Sequence, residues 1–354
     1  MDQKKIRDYG ITIGQMPPGK RNAITDVPGV QVGHVTLDKG NLRTGVTAIL
    51  PHPGNLFKEK VIGAAQVING FGKTVGTVQI NELGTMETPI ILTNTLSVGT
   101  AADALTDFML NMNPDIGKTT GTVNPVVGEC NDMLLNDIRA KGVRKEHVFQ
   151  AIENAGETFA EGAVGAGTGM VSFGLKGGVG SSSRIINASF GTYTLGVLVL
   201  SNFGRMEDFT LAGEPAGPKI QSFLEDRNQK QETVQEKGSI MMIVGTDLPV
   251  SHRQLKRIIK RAGAGIARTG SFYGNGSGDI AIGFSTANRI RHGQKGNLQT
   301  ITCISDDDMD YAFHAVAEAT EEAVLNAMVA AETTIGYDGR VIFSLREWLD
   351  TVKG

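Results

Sequence analysis

The order of apolar and polar residues along the chain predicts an alternation of short strands and amphipathic helices. Apolar, β-rich runs bounded by turn residues predict strands at 63–67, 74–80, 88–93, 196–200, 240–244 and 278–285. Apolar residues at helical spacing predict helices at 97–112, 145–159, 252–268 and 310–333. Together these elements predict one α/β domain built in layers, with helices covering a sheet.

In the second half of the chain the sequence changes abruptly from polar to apolar. Residues 225–237 are polar and charged, with Val234 the only apolar residue among them. Such a segment cannot bury enough surface to offset the entropy lost on ordering, so we expect an exposed and mobile loop. Residues 240–244 read Ile-Met-Met-Ile-Val and predict a strand that is buried on both faces. The change from solvated loop to buried strand therefore falls at Gly238-Ser239.

Composition and charge argue against several classes of function. The chain carries 34 basic and 37 acidic residues, which gives no reason to expect a nucleic-acid partner or an anionic membrane surface. Two cysteines are too few for a disulfide framework and fit a reducing cytoplasm. The first residues lack the apolar run of a secretory signal, and no stretch of 18 apolar residues predicts a transmembrane helix.

Glycine is the one unusual feature of the composition. The chain has 46 glycines among 354 residues, nearly twice the usual share of roughly 7%. They cluster at 162–169, 174–180 and 270–278. Because glycine permits tight turns and close approach of backbones, the clusters fit a strand-rich protein with many turns, or a site built from backbone N–H groups.

Ser239 is the first candidate for chemistry. A serine hydroxyl needs a base, and a serine at the start of its own chain carries one in its α-amine, whose reference pKa is about 7.7–8.0. Exposing that amine requires cleavage of the Gly238–Ser239 bond, for instance by attack of the hydroxyl on the preceding carbonyl. Glycine at 238 would tolerate the strained backbone of such an attack. The dipeptide alone equally fits a loop that simply ends before a strand.

Two further positions could assist such a nucleophile. Ser277 and Asp279 are two residues apart before an apolar strand, so on extended chain they lie on one face and could orient an amine; an ordinary glycine-rich turn gives the same pattern. Asn202 ends the apolar run 197–201, where its amide could donate to an oxyanion or could simply belong to a turn.

A polar cluster follows the apolar run 125–127. Glu129, Asn131 and Asp132 could line a pocket that binds the ammonium group of a substrate. Asn131 or Asp132 could instead cap a helix that starts there. The sequence leaves both interpretations open.

Other kinds of site have little support. The six histidines show no metal-ligand spacing, and neither a zinc motif nor a calcium loop is present. The run 165–169 lacks the Gly-Lys-Ser/Thr ending of a phosphate loop and the full dinucleotide pattern. The sequence therefore gives no reason to expect a metal or an organic cofactor.

Several motifs in one order carry a resemblance to a known family. The chain resembles the L-aminopeptidase/D-alanine-esterase/amidase and β-peptidyl aminopeptidase family of self-processing serine hydrolases. The resemblance runs nearly end to end and rests on the residues at 22–34, 89–95, 97–99, 196–204, 238–247, 275–286 and 318–323.

The resemblance implies an αββα sandwich similar to that of N-terminal-nucleophile hydrolases, with different connectivity. It implies self-cleavage of a single domain, 1–354, into an α chain, 1–238, and a β chain, 239–354, which stay together and form homo-tetramers. By position in the motifs, Ser239 is the nucleophile, Ser277 and Asp279 assist it, and Asn202 holds the oxyanion. Some family members carry glutamate where this chain has Asp279.

The function implied by the resemblance is hydrolysis of short peptides, amides or esters with a free amino terminus, through an acyl-enzyme on Ser239. Three alternatives remain at this point: a β-peptidyl aminopeptidase, an acyltransferase related to the ornithine acetyltransferases, and an uncleaved, non-catalytic homologue. The expected location is the cytoplasm, with neither nucleic acid nor membrane as a partner.

Overall fold

The computed structural model describes residues 3–227, 238–293 and 298–353, and its strands form two main sheets. A four-stranded sheet has the order β1-β2-β5-β6, and a six-stranded sheet has the order β4-β3-β14-β13-β10-β9. The strands of the first sheet are β1 (Gln31–Leu37), β2 (Thr44–Leu50), β5 (Ile90–Asn94) and β6 (Val126–Cys130). Those of the second are β3 (Glu59–Gly70), β4 (Thr85–Met86), β9 (Gly178–Ala188), β10 (Gly191–Asn202), β13 (Ser239–Thr246) and β14 (Gly278–Arg291).

Eight α-helices, seven short 3₁₀ helices and three short hairpins complete the described parts of the chain. The α-helices are α1 (Thr77–Leu83), α2 (Val98–Met112), α3 (Lys145–Glu153), α4 (Gly217–Asp226), α5 (His252–Lys260), α6 (Ala262–Arg268), α7 (Met309–Ala330) and α8 (Leu345–Lys353). The hairpins pair β7 (Val171–Ser172) with β8 (Leu175–Lys176), β11 (Thr210–Leu211) with β12 (Glu214–Pro215), and β15 (Thr334–Ile335) with β16 (Val341–Ile342).

Three apolar cores define four layers. One core lies between α2, α3 and the four-stranded sheet. A second joins the inner faces of the two sheets, and a third joins the outer face of the six-stranded sheet to α5, α6 and α7. The order is helices, sheet, sheet, helices, which is the αββα sandwich that the family resemblance implies.

Strand β13 lies in the middle of the six-stranded sheet and is buried along its whole length. Its side chains alternate between two cores, as expected for a strand covered on both faces. Ile240, Met242 and Val244 face the helices, whereas Met241 and Ile243 face the other sheet. The strand predicted at 240–244 is therefore confirmed, and it begins at Ser239.

Four predicted elements differ from the structure. The strand predicted at 74–80 is wrong, because residues 77–83 form α1. Helix α3 ends at Glu153 rather than at 159, and the helix predicted at 252–268 is divided at Arg261, where α5 ends and α6 begins. The first two residues of the loop predicted at 225–237 belong to α4, and residues 228–237 of that loop lie outside the described residues.

Two glycines in the clusters permit β9 to approach a helix and a loop closely. A Cβ atom on Gly180 would lie 2.1 Å from the carbonyl oxygen of Ala323 in α7, and one on Gly178 would lie 2.1 Å from the carbonyl oxygen of Gly162. Both neighbours are backbone atoms, which cannot move aside alone. Glycine at these positions therefore serves packing of the layers rather than only turns.

Candidate active site

Ser239 lies at the first position of β13, between two strands that also carry candidate residues. It pairs with Asn202 at the end of β10 and with Gly278 at the start of β14. Side chains alternate along a strand, so Ser239 shares the face of Met241 and Ile243, and Asn202 shares that of Leu200, toward the other sheet. The structure therefore brings Ser239 and Asn202 together at one edge of the space between the sheets.

Ser277 and Asp279 flank the glycine that pairs with Ser239. The Ser277 hydroxyl donates to Asp279 Oδ1 at 2.8 Å, and both side chains are buried. Asp279 pairs with Ile240, one residue beyond Ser239. The two residues thus form a hydrogen-bonded pair beside the first residues of β13, as the spacing of two suggests.

Gly238 is held by backbone on two sides. Its carbonyl oxygen accepts a hydrogen bond from the N–H of Gly278 at 3.3 Å. A Cβ atom at this position would lie 2.1 Å from the carbonyl oxygen of Asn202 and 2.7 Å from Cα of Phe203. Position 238 therefore requires glycine for steric reasons, and its carbonyl group already faces an N–H donor.

The side chain of Asn202 has a fixed orientation. Its Oδ1 accepts from the N–H of Val171 at 2.9 Å, and its Nδ2 donates to the carbonyl oxygen of Asn131 at 3.0 Å. The second bond links the six-stranded sheet to the end of β6 in the four-stranded sheet. Because the amide nitrogen carries two N–H groups and Asn131 accepts from one of them, the other can donate to a ligand.

Glu129 is the second-last residue of β6 and has a buried carboxylate. Its Oε1 accepts from the N–H of Lys73 at 2.9 Å, and its Oε2 accepts from the hydroxyl of Thr95. The segment that carries Lys73 also touches the start of β14, because the N–H of Phe71 donates to the carbonyl oxygen of Ser277 at 3.3 Å. One short segment therefore connects Glu129 to the surroundings of Ser239.

The other two residues of that cluster have local partners. The side chain of Asn131 accepts from the N–H of Met133 at 3.0 Å, which closes a turn, and Asp132 is fully buried with Asn136 Nδ2 donating to its Oδ1 at 3.0 Å. The residues directly after them, 133–137, form no α-helix, so the helix-cap interpretation is wrong. Burial raises the pKa of Asp132 from 3.8 to about 6.

This raised pKa predicts a pH-dependent penalty on stability. As the pH rises from about 4 to about 6, the unfolded chain loses the Asp132 proton before the folded chain does, so ionisation disfavours the folded state. Asp132→Asn keeps the shape and the bond to Asn136 and removes this titration. We expect the variant to gain up to about 3 kcal/mol relative to wild type between pH 4 and pH 7, measured by urea denaturation. Equal pH dependence in the two proteins would contradict the assignment.

Neither a metal site nor a membrane-spanning helix is found among the described residues. No group of three or more His, Cys, Asp or Glu side chains in those segments has the geometry to bind a metal ion. Among the described helices, none has the length and apolar character needed to cross a bilayer. Both cysteines are free, with Cys130 buried and Cys303 exposed.

Comparison with known proteins assigns the chain to a family. Residues 22–342 match peptidase family S58. The chain belongs to this family. It is also 39% identical over 356 residues to the β-peptidyl aminopeptidase BapA of Sphingosinicella microcystinivorans, across 96% of the chain and 88% of that protein. As a member of the S58 family the chain is a hydrolase of the peptidase class.

Solved structures agree in fold. The PH0078 protein of Pyrococcus horikoshii OT3 is 54% identical, with a TM-score of 0.92 over 98% of each chain. The L-aminopeptidase D-Ala-esterase/amidase of Ochrobactrum anthropi is 34% identical, with a TM-score of 0.90 over 99% of this chain and 97% of that one. The latter is described as a prototype of the serine aminopeptidases and a new variant of the Ntn hydrolase fold, and this S58 chain shares that fold.

The sequence analysis missed two groups around these candidate residues, a backbone N–H and a buried lysine. Gly278 has no side chain that marks it in the sequence, yet its N–H donates to the carbonyl oxygen of Gly238. Lys176 was passed over, although a lone cation in the run Phe-Gly-Leu-Lys-Gly-Gly-Val is a visible signal, since lysine is rarely buried without a partner.

Proposed function

We propose that this member of the S58 family is a self-processing aminopeptidase with amidase and esterase activity, and that Ser239 is its N-terminal nucleophile. The observation that carries the proposal is the position of Ser239: it is the first residue of a buried central strand and pairs with both Asn202 and Gly278. Self-cleavage at this position would leave the new amine and the hydroxyl on one residue.

The first reaction is cleavage of the chain at Gly238–Ser239. The Ser239 hydroxyl adds to the Gly238 carbonyl carbon, the N–H of Gly278 donates to the oxygen that becomes negative, and the carbon–nitrogen bond breaks as the α-nitrogen takes the hydroxyl proton. Water then hydrolyses the resulting ester. The products are the α chain, 1–238, and the β chain, 239–354, within one domain.

The second reaction is turnover of an external substrate. The free α-amine takes the proton of the Ser239 hydroxyl, which attacks the substrate carbonyl. Asn202 Nδ2 and the N–H of Gly278 stabilise the oxyanion, while Ser277 and Asp279 orient the amine. The leaving amine or alcohol departs with a proton, and water hydrolyses the acyl-enzyme and restores the hydroxyl.

The substrate class is inferred from the buried carboxylate of Glu129. Glu129 is buried, its two oxygens accept hydrogen bonds, and it is connected to the start of β14 through residues 71–73. We infer that Glu129 binds the ammonium group of the substrate, and that Asn131 and Asp132 line the same pocket. The substrates would then be short peptides, amides or esters with a free amino terminus.

A preference for β-amino acid residues is a second candidate. Its support is the similarity to BapA, which is named a β-peptidyl aminopeptidase. The remaining features that the family resemblance implies, a homo-tetramer in the cytoplasm, belong to the same proposal.

Paired substrates test the proposed function. We expect hydrolysis of an alanine amide of either the α- or the β-series, and no hydrolysis of the same compound after N-acetylation, because the ammonium group is then lost. The ratio of the two series gives the preference. Equal rates with free and acetylated substrates would contradict the proposal that the enzyme is an aminopeptidase.

The steric requirement at position 238 gives a prediction for processing. In Gly238→Ala the new methyl group meets the Asn202 carbonyl oxygen, so the Gly238 carbonyl must move away from its donor and self-cleavage should slow sharply. The full-length fraction on a denaturing gel measures this over time. Gly99→Ala is the control, since a Cβ there has open space around it. Unchanged cleavage in Gly238→Ala would contradict the proposed geometry.

A further inference from the structure

Lys176 is a buried cation that the mechanism above does not use. It ends β8, and its side chain has no exposed surface. Among the described residues no carboxylate lies within ion-pair distance of its ammonium group, and Asp38 attracts it only from farther away. The group donates instead to three backbone carbonyl oxygens, those of Gly167 at 3.1 Å, Met170 at 2.8 Å and Gly177 at 2.7 Å.

Burying an ammonium group among neutral partners is unfavourable. Loss of hydration lowers the pKa of Lys176 to about 7, which reflects that penalty. An apolar side chain of similar length would fill the same volume without it. Packing alone therefore does not explain why a lysine stands at this position, and its hydrogen bonds must have another role.

The hairpin that Lys176 ends is joined directly to the strand end that carries Asn202. The N–H of Val171 donates to Asn202 Oδ1 at 2.9 Å. The Ser172 and Ser201 hydroxyls are 2.7 Å apart, and the N–H of Phe173 donates to the carbonyl oxygen of Phe203 at 2.8 Å. Three successive hairpin residues thus contact three successive residues of the β10 end.

Lys176 closes the base of this hairpin. The Met170 carbonyl oxygen, one residue before Val171, accepts from both the Lys176 ammonium and the N–H of Gly177. Without the ammonium group, each of the three buried carbonyl oxygens loses a donor, and those of Gly167 and Met170 keep only a backbone N–H. The segment would then shift to recover partners, and the N–H of Val171 would move with it.

We propose that Lys176 is a positioning residue for the reaction: by fixing the 167–177 segment it holds the Val171 N–H against Asn202 Oδ1 and so keeps the amide nitrogen of Asn202 turned toward the oxyanion. The inference rests on the proposed function, since it assigns Lys176 an effect through the oxyanion donor. Lys176 itself touches no reacting atom.

A double-mutant cycle tests the coupling between Lys176 and Asn202. Lys176→Met keeps the length and removes the charge. We expect kcat to fall at least tenfold with little change in KM, and the same substitution to have no further effect on kcat in an Asn202→Ala background. Lys176→Arg, which keeps a cation, is expected to retain more activity than Lys176→Met. Independent, multiplicative losses from Lys176→Met and Asn202→Ala would overturn the proposal.

Two further measurements separate this inference from general loss of stability and from failure of the proposed function. Ile258→Ala, in α5 on the outer helix layer, is a stability control that should lower the melting temperature but not kcat. A crystal structure of Lys176→Met needs no activity assay: we expect a longer Val171 N to Asn202 Oδ1 distance or a rotated Asn202 amide. An unchanged hairpin and amide would overturn the inference even if the enzyme is an active aminopeptidase. Absence of turnover in wild type would instead refute the proposed function alone.

Discussion

Ser239→Ala is expected to give a folded, full-length and inactive protein. The substitution removes the hydroxyl that would cleave the chain and also the one that would attack substrate, so both reactions lose their nucleophile. Loss of a serine nucleophile in hydrolases reduces kcat by about 10⁴-fold or more. A denaturing gel should show one band near the full mass of 37.6 kDa, and turnover should fall to the background rate.

The matched control for this substitution is Ser285→Ala. Ser285 is buried in the neighbouring strand β14, pairs with Thr246 at the far end of β13, and donates to the carbonyl oxygen of Leu248 at 2.8 Å. It lies roughly 23 Å along the strand from Gly278 at 3.3 Å per residue. We expect this variant to be cleaved and active. A cleaved, active Ser239→Ala protein would contradict the assignment of the nucleophile.

Asn202→Ala is expected to leave substrate binding nearly intact and to lower kcat by about 10²–10³-fold, the usual effect of removing one oxyanion donor. The amide nitrogen of Asn202 is held beside Ser239 by the bonds that fix both ends of the side chain. The remaining donor, the N–H of Gly278, explains why activity should not vanish. Steady-state kinetics on the cleaved enzyme measure kcat and KM separately.

A second buried asparagine provides the control for Asn202. Asn326 in α7, in the outer helix layer, donates to the carbonyl oxygen of Ser181 at 2.8 Å and accepts from the N–H of Ile6 at 2.9 Å. Asn326→Ala should lower the melting temperature and leave kcat unchanged. If Asn202→Ala likewise lowers only the melting temperature and leaves kcat unchanged, the oxyanion assignment is wrong.

The sequence predicted most of the layered fold because its long apolar runs have no other stable arrangement. Residues 240–244 have no polar side chain, so only a strand covered on both faces buries them. The β-branched residues of 74–80 favour a strand, and for that reason a strand is predicted there. In the structure, Gly76 adopts a left-handed conformation and α1 begins directly after it. Glycine there overrides the local preference of Thr77 and Val78.

The sequence predicts the side chains of the candidate site but not its backbone groups. Ser277 and Asp279 are recognisable because spacing of two on extended chain brings them together. The N–H of Gly278 and the turn that fixes Asn131 are backbone features, which no residue type encodes by itself. The partners of Lys176 are three backbone carbonyl oxygens. No sequence motif marks such partners, because they come together only in the folded hairpin.

The most direct test of the account is the intact mass and amino-terminal sequence of purified, active enzyme. The account predicts two species, residues 1–238 and 239–354, with the smaller one beginning Ser-Ile-Met-Met. An active enzyme that consists of a single uncut chain, or whose new terminus lies elsewhere, would contradict it, because no α-amine would then stand beside the Ser239 hydroxyl.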